Sequence, residues 1–531
     1  MIRLIAYCPF LLISLLACQP TEQPATDPTV YSPDRRIRVE VSLDAADSSV
    51  SYQVGLKQGD AYVTVVKPSA LGLLAEATNG NRLDLSRGFA TLAASETASG
   101  TEEYTMLTGK RRQHEAAYQE KAYTLTHRND SLTLRFRVFN DGLGFRYDWS
   151  GSSGQSYTIQ DELTAFNLPT DGQKWLQAYD SVWMYAPAYE TFYQDELPIG
   201  ESAPANKNGW SFPALFHTAN AWLLLSEAAL DGTYVGMHLN ADPTDGQYRL
   251  RFPEPNEAFD SLHTRPEITL PWTSPWRVIH LLDSLDGIVT SELVHHLAKP
   301  STVANTGWIK PGRASWSWWY YSDSPQDYNQ LTPYVDFAAE MGWEYSLVDA
   351  NWNRMQNGDL AKLAAYAKDK GVRLLVWYNS GGPHNVVTEE PRDQMHTAEA
   401  RREAFARLRE FGVARGENRL LPERQAAHHP AVHRHPGGCG RVRTAGELPR
   451  LHPAAGLVAH LPAVADDGVG VRGRGLQVRR ALPGLRAHAE HHPALHAQRG
   501  GADGLHARYP VGVYLPGLNH HRARVGPAGG V

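Results

Sequence analysis

The sequence predicts a large antiparallel β-sandwich followed by parallel βα units, and a change of pattern along the chain supports this division. Over residues 33–300, apolar and polar residues alternate in short runs such as 37–41 (IRVEV) and 132–138 (LTLRFRV). Alternation with a period of two indicates half-buried strands. Over residues 301–413, short apolar runs alternate with helical segments instead, which indicates a parallel sheet covered by helices.

The first 32 residues predict export and a lipid anchor. Residues 1–18 place Arg3 ahead of an apolar run that ends in Leu-Leu-Ala-Cys at Cys18, the form of a bacterial lipoprotein signal. We therefore expect Cys18 to carry the lipid and to hold the protein at the outer membrane, on its periplasmic side. The alternative is an ordinary cleaved signal with an incidental cysteine. Residues 19–32 are rich in Pro and Thr and predict a flexible tether.

Three helices are predicted within residues 301–413. Thr332 and Pro333 supply an N-cap and a first-turn proline for a helix that ends at Gly342. A second helix is predicted from about residue 359 to 370, before Gly371, and a third from about residue 393 to Gly412.

Polar and aromatic side chains follow the strands that precede these helices. Trp318 lies in the aromatic loop after the first strand, and Asp349 and Asn379 follow the next two. The step from Asp349 to Asn379 is 30 residues, one strand-to-strand step of a parallel repeat. A (β/α)8 barrel and a doubly wound open sheet both place ligands at strand ends, so the spacing leaves both open.

Composition and motifs favour a carbohydrate ligand at these strand ends. The net charge of −6 does not suggest a nucleic-acid partner, and there is neither a phosphate loop nor a Gly-x-Gly-x-x-Gly motif after a strand, which argues against a nucleotide cofactor. Aromatic rings stack on the apolar faces of a pyranose while carboxylates and amides bind its hydroxyl groups. We therefore predict substrate contacts at Asp349, Asn379 and Trp318. Their structural alternatives are a strand-end cap, a turn amide and a core aromatic, respectively.

The composition changes sharply after Val413. Residues 414–531 contain 16 Arg, 13 His and no Lys, Ile, Met, Phe, Trp or Ser, with a net charge of +9, whereas residues 1–413 carry −15. No hydrophobic period persists there, so no packed core is expected. A basic disordered arm that binds polyanions and a His-rich metal-binding tract are two explanations. The third, which we favour, is a change of reading frame near residues 414–417 in a GC-rich gene.

Seven stretches together resemble glycoside hydrolase family 97, a bacterial family of often lipid-anchored α-glycosidases. They are 135–147 (RFRVFNDGLGFRY), 189–193 (YETFY), 227–230 (EAAL), 311–319 (PGRASWSWW), 342–352 (GWEYSLVDANW), 377–382 (WYNSGG) and 391–395 (PRDQM). The resemblance implies an N-terminal β-super-sandwich, a catalytic (β/α)8 (TIM) barrel, here truncated, and dependence on Ca²⁺ held by glutamates. It makes Glu190 the metal ligand contributed by the sandwich.

The same resemblance separates two mechanisms. Asn379-Ser380-Gly381-Gly382 has the form of the retaining α-galactosidase-like members, which take an Asp nucleophile from the fourth strand and a later Glu as acid and base. That strand would start at Gly412, but no matching Asp or Glu motif can be identified in residues 414–531. The catalytic carboxylates therefore remain unassigned, and we expect this chain to be inactive as written. The alternatives are an inverting α-glucosidase of the same family, a non-catalytic carbohydrate-binding lipoprotein, and a basic-tailed surface adhesin.

Overall fold

The computed structural model describes residues 27–413, except for 128–129, 181–191, 258–263, 304–305 and 380–386. The predictions for Cys18, Glu190 and residues 414–531 lie outside the described residues. No helix within the described part of the chain is long and apolar enough to cross a membrane.

The strands of the described chain fall into an N-terminal antiparallel group and a C-terminal parallel group. The N-terminal strands are β1 Thr29–Tyr31, β2 Ile37–Leu43, β3 Val50–Gln58, β4 Ala61–Ala70, β5 Leu73–Ala77, β6 Arg82–Leu85, β7 Thr91–Ala94, β8 Ala98–Thr105, β9 Gln113–His127, β10 Asp130–Phe139, β11 Gly142–Ser150, β12 Ser156–Glu162, β13 Ala165–Asn167, β14 Gln173–Tyr179, β15 Tyr193–Pro198, β16 Gly209–Trp210, β17 Ala214–His217, β18 Trp222–Ala228, β19 His238–Leu239, β20 Gln247–Arg251, β21 Glu267–Thr269, β22 Trp272–Thr273 and β23 Trp276–Leu282. The parallel strands are β24 Ala314–Trp316, β25 Tyr345–Val348 and β26 Arg373–Val376.

Five α-helices and four short 3-10 turns complete the described secondary structure. The helices are α1 Leu285–Thr290, α2 Leu293–His296, α3 Tyr328–Glu340, α4 Leu360–Asp369 and α5 Ala398–Glu410. The 3-10 turns are Thr244–Gly246, Pro255–Glu257, Ser324–Gln326 and Trp352–Arg354.

The period-two pattern of the N-terminal half produces the antiparallel strands that it predicts. In β10, Leu132, Leu134, Phe136 and Val138 are fully buried, and the residues between them are partly exposed. Alternation therefore puts one face of the strand in the core. Nineteen of the described N-terminal strands join in one hydrogen-bonded network, and β21, β12, β5 and β6 form a second sheet. Their inward side chains share one large hydrophobic core.

A tight turn joins β10 and β11. Phe139 pairs with Gly142, so Asn140 and Asp141 form a two-residue connection between the two strands. Gly142 has φ of +148°, and a Cβ there would lie 2.3 Å from the carbonyl oxygen of Ile279. Only glycine allows β11 to approach β23 this closely.

A buried ion cluster lies within the sandwich. Arg277 on β23 donates to both oxygens of Glu162, at 2.8 and 2.5 Å, and to Glu227 on β18. Tyr234 also donates to Glu162, at 2.6 Å. All four side chains are buried, so the cluster satisfies groups that would otherwise be costly in the core. Glu227 belongs to one of the stretches that resemble family 97, and the cluster gives it a structural role.

Residues 314–410 alternate strands and helices as predicted. β24, β25 and β26 form a parallel three-stranded sheet, and α3, α4 and α5 share its hydrophobic core. Three parallel strands are consistent with the beginning of a barrel, whereas closure of a (β/α)8 barrel stays a prediction.

The helix boundaries correct the sequence prediction at two places. Helix α3 begins at Tyr328 and not near Thr332, because Asp327 caps it by accepting the backbone N–H of Asn329 at 3.0 Å. Helix α5 begins at Ala398 rather than near residue 393, with Thr397 as its N-cap. Helix α4 follows the prediction closely.

Candidate functional site at the ends of the parallel strands

The parallel register brings the predicted site residues to one edge of the sheet. Trp316 pairs with Leu347, and Val348 pairs with Val376. The carboxyl ends of β24, β25 and β26 are therefore side by side, and the segments that carry Trp318, Asp349 and Asn379 all leave the sheet at that edge. This arrangement is common to parallel α/β folds that bind ligands at their strand ends.

Asp349 occupies the centre of this edge and is almost fully buried. Its Oδ2 accepts a hydrogen bond from the indole Nε1 of Trp316 at 2.6 Å, and its Oδ1 accepts the backbone N–H of Ala350 at 2.7 Å. Two donors orient the carboxylate and stabilise its charge away from bulk water. The first comes from the neighbouring strand, so the β24–β25 pairing sets the direction in which the carboxylate points.

Exposed aromatic rings lie beside this carboxylate. The side chain of Trp318 is 38% exposed and that of Trp319 is 57% exposed. The Trp318 ring stacks against Trp316 with centroids 6.3 Å apart, and Trp319 meets Trp316 edge-on at 5.3 Å. Tyr320 and Tyr321 continue the exposed loop. The exposure of Trp318 removes its structural alternative as a core aromatic.

Asn379 is fully buried, and its amide holds a neighbouring loop. Its Nδ2 donates to the carbonyl oxygens of Val387 and Glu389, at 3.3 and 3.2 Å, and its backbone N–H donates to the carbonyl of Pro391 at 2.9 Å. These contacts match the alternative of a turn amide. A direct substrate contact by Asn379 stays a prediction.

Glu390 is a carboxylate at this edge that sequence analysis missed. Its side chain accepts hydrogen bonds from Asn353 at 2.6 Å and from Arg354 at 2.8 Å, and these bonds hold its pKa below the usual value. Asn351, in the left-handed conformation with φ of +67°, exchanges backbone and side-chain hydrogen bonds with the Glu390 backbone. The four residues tie the end of β25 to the segment after β26. The one sequence signal was Asn351, a residue type that tolerates this conformation.

Trp352, which follows β25, also contacts the residues that follow β26. Its indole donates to the carbonyl oxygen of Trp377 at 2.8 Å, and its ring meets Tyr378 edge-on at 5.6 Å. Burial raises the pKa of the Tyr378 hydroxyl to about 12. Tyr378 therefore remains a neutral phenol at this edge throughout the physiological range.

The described residues do not provide a metal site on their own. Among them, no group of three or more His, Cys, Asp or Glu side chains is arranged to hold a metal ion. The predicted ligand Glu190 lies outside the described residues, so its role stays a prediction.

The described chain is an antiparallel sandwich followed by βα units. At the ends of the parallel strands, a buried carboxylate lies beside exposed indoles. This combination is typical of carbohydrate-active proteins. Residues 30–300 match the family described as Glycosyl-hydrolase 97 N-terminal. The chain therefore belongs to glycoside hydrolase family 97, as the seven sequence stretches predicted.

Two curated relatives are named as galactosidases. A probable retaining alpha-galactosidase of Streptomyces bingchenggensis is 29% identical over 407 residues, which cover 72% of this chain and 57% of the relative. The retaining alpha-galactosidase of Bacteroides thetaiotaomicron is 24% identical over 300 residues, which cover 48% of this chain and 45% of the relative. The chain thus spans about half the length of these relatives.

Solved structures agree with the fold. A crystal structure described as a beta-arabinopyranosidase is 27% identical with a TM-score of 0.65, and the match covers 73% of this chain and 61% of that one. A family 97 enzyme in complex with acarbose, from Pseudoalteromonas sp. strain K8, is 22% identical with a TM-score of 0.59, covering 73% and 58% respectively. The second likeness shows the fold alone.

Proposed function

We propose that this chain derives from a retaining α-galactosidase-type glycoside hydrolase that acts on oligosaccharides in the periplasm. Family membership and two curated relatives named as retaining α-galactosidases support the reaction class. In the structure, the proposal is supported above all by the environment of Asp349. It is a buried, doubly hydrogen-bonded carboxylate beside exposed indoles at the edge where parallel α/β folds bind ligands.

In this proposal the residues at the strand ends recognise the sugar. Asp349 accepts hydrogen bonds from sugar hydroxyls, and Trp316 keeps its carboxylate oriented for them. The exposed ring of Trp318 packs against an apolar face of the substrate and excludes water there. Asn379 contributes indirectly to recognition, because its amide fixes the loop after β26.

The chemistry of a retaining glycosidase requires two carboxyl groups about 5–5.5 Å apart, one as nucleophile and one as acid and base. Asp349 already accepts two protein hydrogen bonds, which suits recognition better than attack. The resemblance places both catalytic groups after residue 413, where the composition changes. We propose that a shift of reading frame has replaced the segment that supplies them, and that this product does not turn over substrate.

Calcium enters the proposal through the family resemblance. Ca²⁺ prefers oxygen ligands, and Glu190 could contribute one carboxylate to it. The described residues do not by themselves form a site for such an ion.

The test starts from the gene. We expect the nucleotides around codons 405–425 to reveal a gained or lost base, whose correction restores a strand that ends in Asp. The chain as written should release no 4-nitrophenol from 4-nitrophenyl α-D-galactoside, whereas the corrected chain should hydrolyse it. NMR of the first product should show the α-anomer, because double displacement retains configuration.

The controls separate the alternatives. In the corrected chain, Asp349→Asn should raise KM, whereas Asp369→Asn, an exposed site at the C-terminal end of α4, serves as a matched change at the opposite edge of the sheet. An initial β-anomer would show inversion, the mechanism of the α-glucosidase alternative. Turnover by the chain as written would contradict the proposal. A single uninterrupted frame, with saturable sugar binding and no turnover, would instead favour the carbohydrate-binding lipoprotein.

A further inference from the structure

A second aromatic surface lies on the outer face of the sandwich. Strands β14, β17 and β18 are neighbours there, with Gln173 paired to His217 and His217 paired to Trp222. Trp175, two residues after Gln173 on β14 and so on the same face of the strand, pairs with Leu215. All of these side chains point away from the main core and are exposed at least in part. Sequence analysis did not single out any of them.

The two tryptophans lean towards each other across β17. Strands that are two positions apart are separated by nearly 10 Å, yet the ring centroids of Trp175 and Trp222 are only 5.3 Å apart. The imidazole of His217 stacks on Trp222 with centroids 4.2 Å apart and planes 23° from parallel. The three rings therefore form one continuous aromatic platform that water still reaches.

A shallow cleft with a mixed polar and apolar lining opens beside this platform. It has a volume of about 340 Å³ and is lined by Asp171, Gly172, Gln173, His217, Thr218 and Ala219. Its floor requires glycine, because a Cβ on Gly172 would lie 2.0 Å from the carbonyl oxygen of His217. Asp171 and Gln173 are exposed, so a carboxylate and an amide border the cleft beside the rings.

We propose that this platform and cleft form a second carbohydrate-binding site, which takes one or two pyranose units of an oligosaccharide. Rings next to carboxylate and amide groups match the two surfaces of a sugar, its apolar C–H face and its rim of hydroxyls. The volume of the cleft, about 340 Å³, also suits a ligand of that size.

The proposed second site differs from the strand-end site in location and in consequence. It lies on strands of the antiparallel network, whereas Asp349 and Trp318 follow the separate parallel sheet. It requires no group from residues 414–531 and no catalytic carboxylate. The inference therefore stands whether or not the hydrolase proposal holds. Its role would be to keep the protein on a polysaccharide or on a long substrate.

Fluorine NMR of the full chain labelled with 5-fluorotryptophan tests the proposal. Trp175→Phe and Trp222→Phe assign the two resonances, and galactose, melibiose and cellobiose are the probes. We expect at least one sugar to shift both resonances saturably, with a Kd on the order of 1 mM. Trp222→Ala should weaken this binding about tenfold, as expected for loss of a central aromatic contact.

A matched variant distinguishes the two sites. Trp318→Ala removes an exposed indole at the strand ends and should leave the shifts at Trp175 and Trp222 unchanged. Shifts at those two residues that disappear in Trp318→Ala would overturn the proposal, because they would originate at the strand-end site. Absence of any shift with all three sugars would overturn it as well. So would concentration-dependent sedimentation that Trp222→Ala abolishes, since the platform would then be a self-association surface.

Discussion

Glu227→Gln removes one negative charge from the buried cluster around Arg277 and keeps the shape of the side chain. One oxygen of Glu227 accepts from Arg277, and the other accepts the backbone N–H of Met237 at 3.0 Å. The same guanidinium also binds Glu162. One buried cation therefore faces two carboxyl groups, so that ionising both leaves an excess negative charge in the core.

Burial raises the pKa of Glu227 from the ordinary 4.5 to about 7, despite the opposing attraction of Arg277. Below pH 4.5 the carboxyl is protonated in both the folded and the unfolded state. As the pH rises from 4.5 to 7, the unfolded chain loses this proton while the folded chain retains it, so folding stability falls. At about 1.4 kcal/mol per pKa unit, the loss from this one group reaches about 3 kcal/mol above pH 7.

The Gln variant cannot ionise and should lack this loss. The Gln amide has one acceptor oxygen for two donors, Arg277 and the Met237 N–H, so the variant should be less stable than the parent near pH 4.5. Its free energy of unfolding should then rise relative to that of the parent by about 3 kcal/mol between pH 4.5 and 8. Urea unfolding followed by tryptophan fluorescence at pH 4.5, 6, 7 and 8 measures the difference. Glu103→Gln, an exposed site on β8, is the matched control and should leave the pH profile unchanged.

The sign of the effect makes this prediction decisive. A difference that stays constant between pH 4.5 and 8 would show that the pKa of Glu227 is not raised. A variant that loses stability relative to the parent as the pH rises would show that Arg277 lowers the pKa of Glu227 below 4.5. Either result would refute the argument from burial.

Two further predictions concern the N-cap of α4 and the predicted lipid attachment at Cys18. Asp359 caps α4 by accepting the backbone N–H of Lys362 at 2.7 Å, so Asp359→Ala should cost about 1 kcal/mol in the free energy of unfolding, and a cost near zero would contradict that role. Asp369→Ala, at the other end of the same helix, is the control. Cys18→Ser should abolish incorporation of radiolabelled palmitate and release the protein from membranes in a bacterial host; continued labelling would rule out Cys18 as the attachment site.

The strands were predictable because one face of each strand had to be buried. In β10, alternation from Leu132 to Val138 identified both the strand and its buried side. The start of α3 was not predictable in the same way. Thr332 with Pro333 and Asp327 are both acceptable local signals, and the helix starts at the earlier one, which also leaves Leu331 buried in the core of the parallel unit.

Buried polar contacts between distant residues could not be read from the sequence. Arg277 and Glu162 are 115 positions apart, and nothing local marks either of them as a partner of the other. At the strand ends, Asp349 was found because polar residues after a buried strand carry a local signal. The hydrogen bond from Trp316 to Asp349 was not predicted, because it depends on the pairing of β24 with β25.

If the proposed function is correct, the position of Asp349 separates substrate recognition from turnover in this chain. Double displacement needs two carboxyl groups across one glycosidic bond. Among the described residues directly following β24, β25 and β26, Asp349 is the one carboxylate, and two hydrogen bonds hold it. Glu390 is engaged with Asn353 and Arg354 at the rim. The described strand ends are therefore suited to holding a sugar in place. Under the proposal, hydrolysis depends on carboxyl groups that an intact fourth strand and its successors would bring to the same edge.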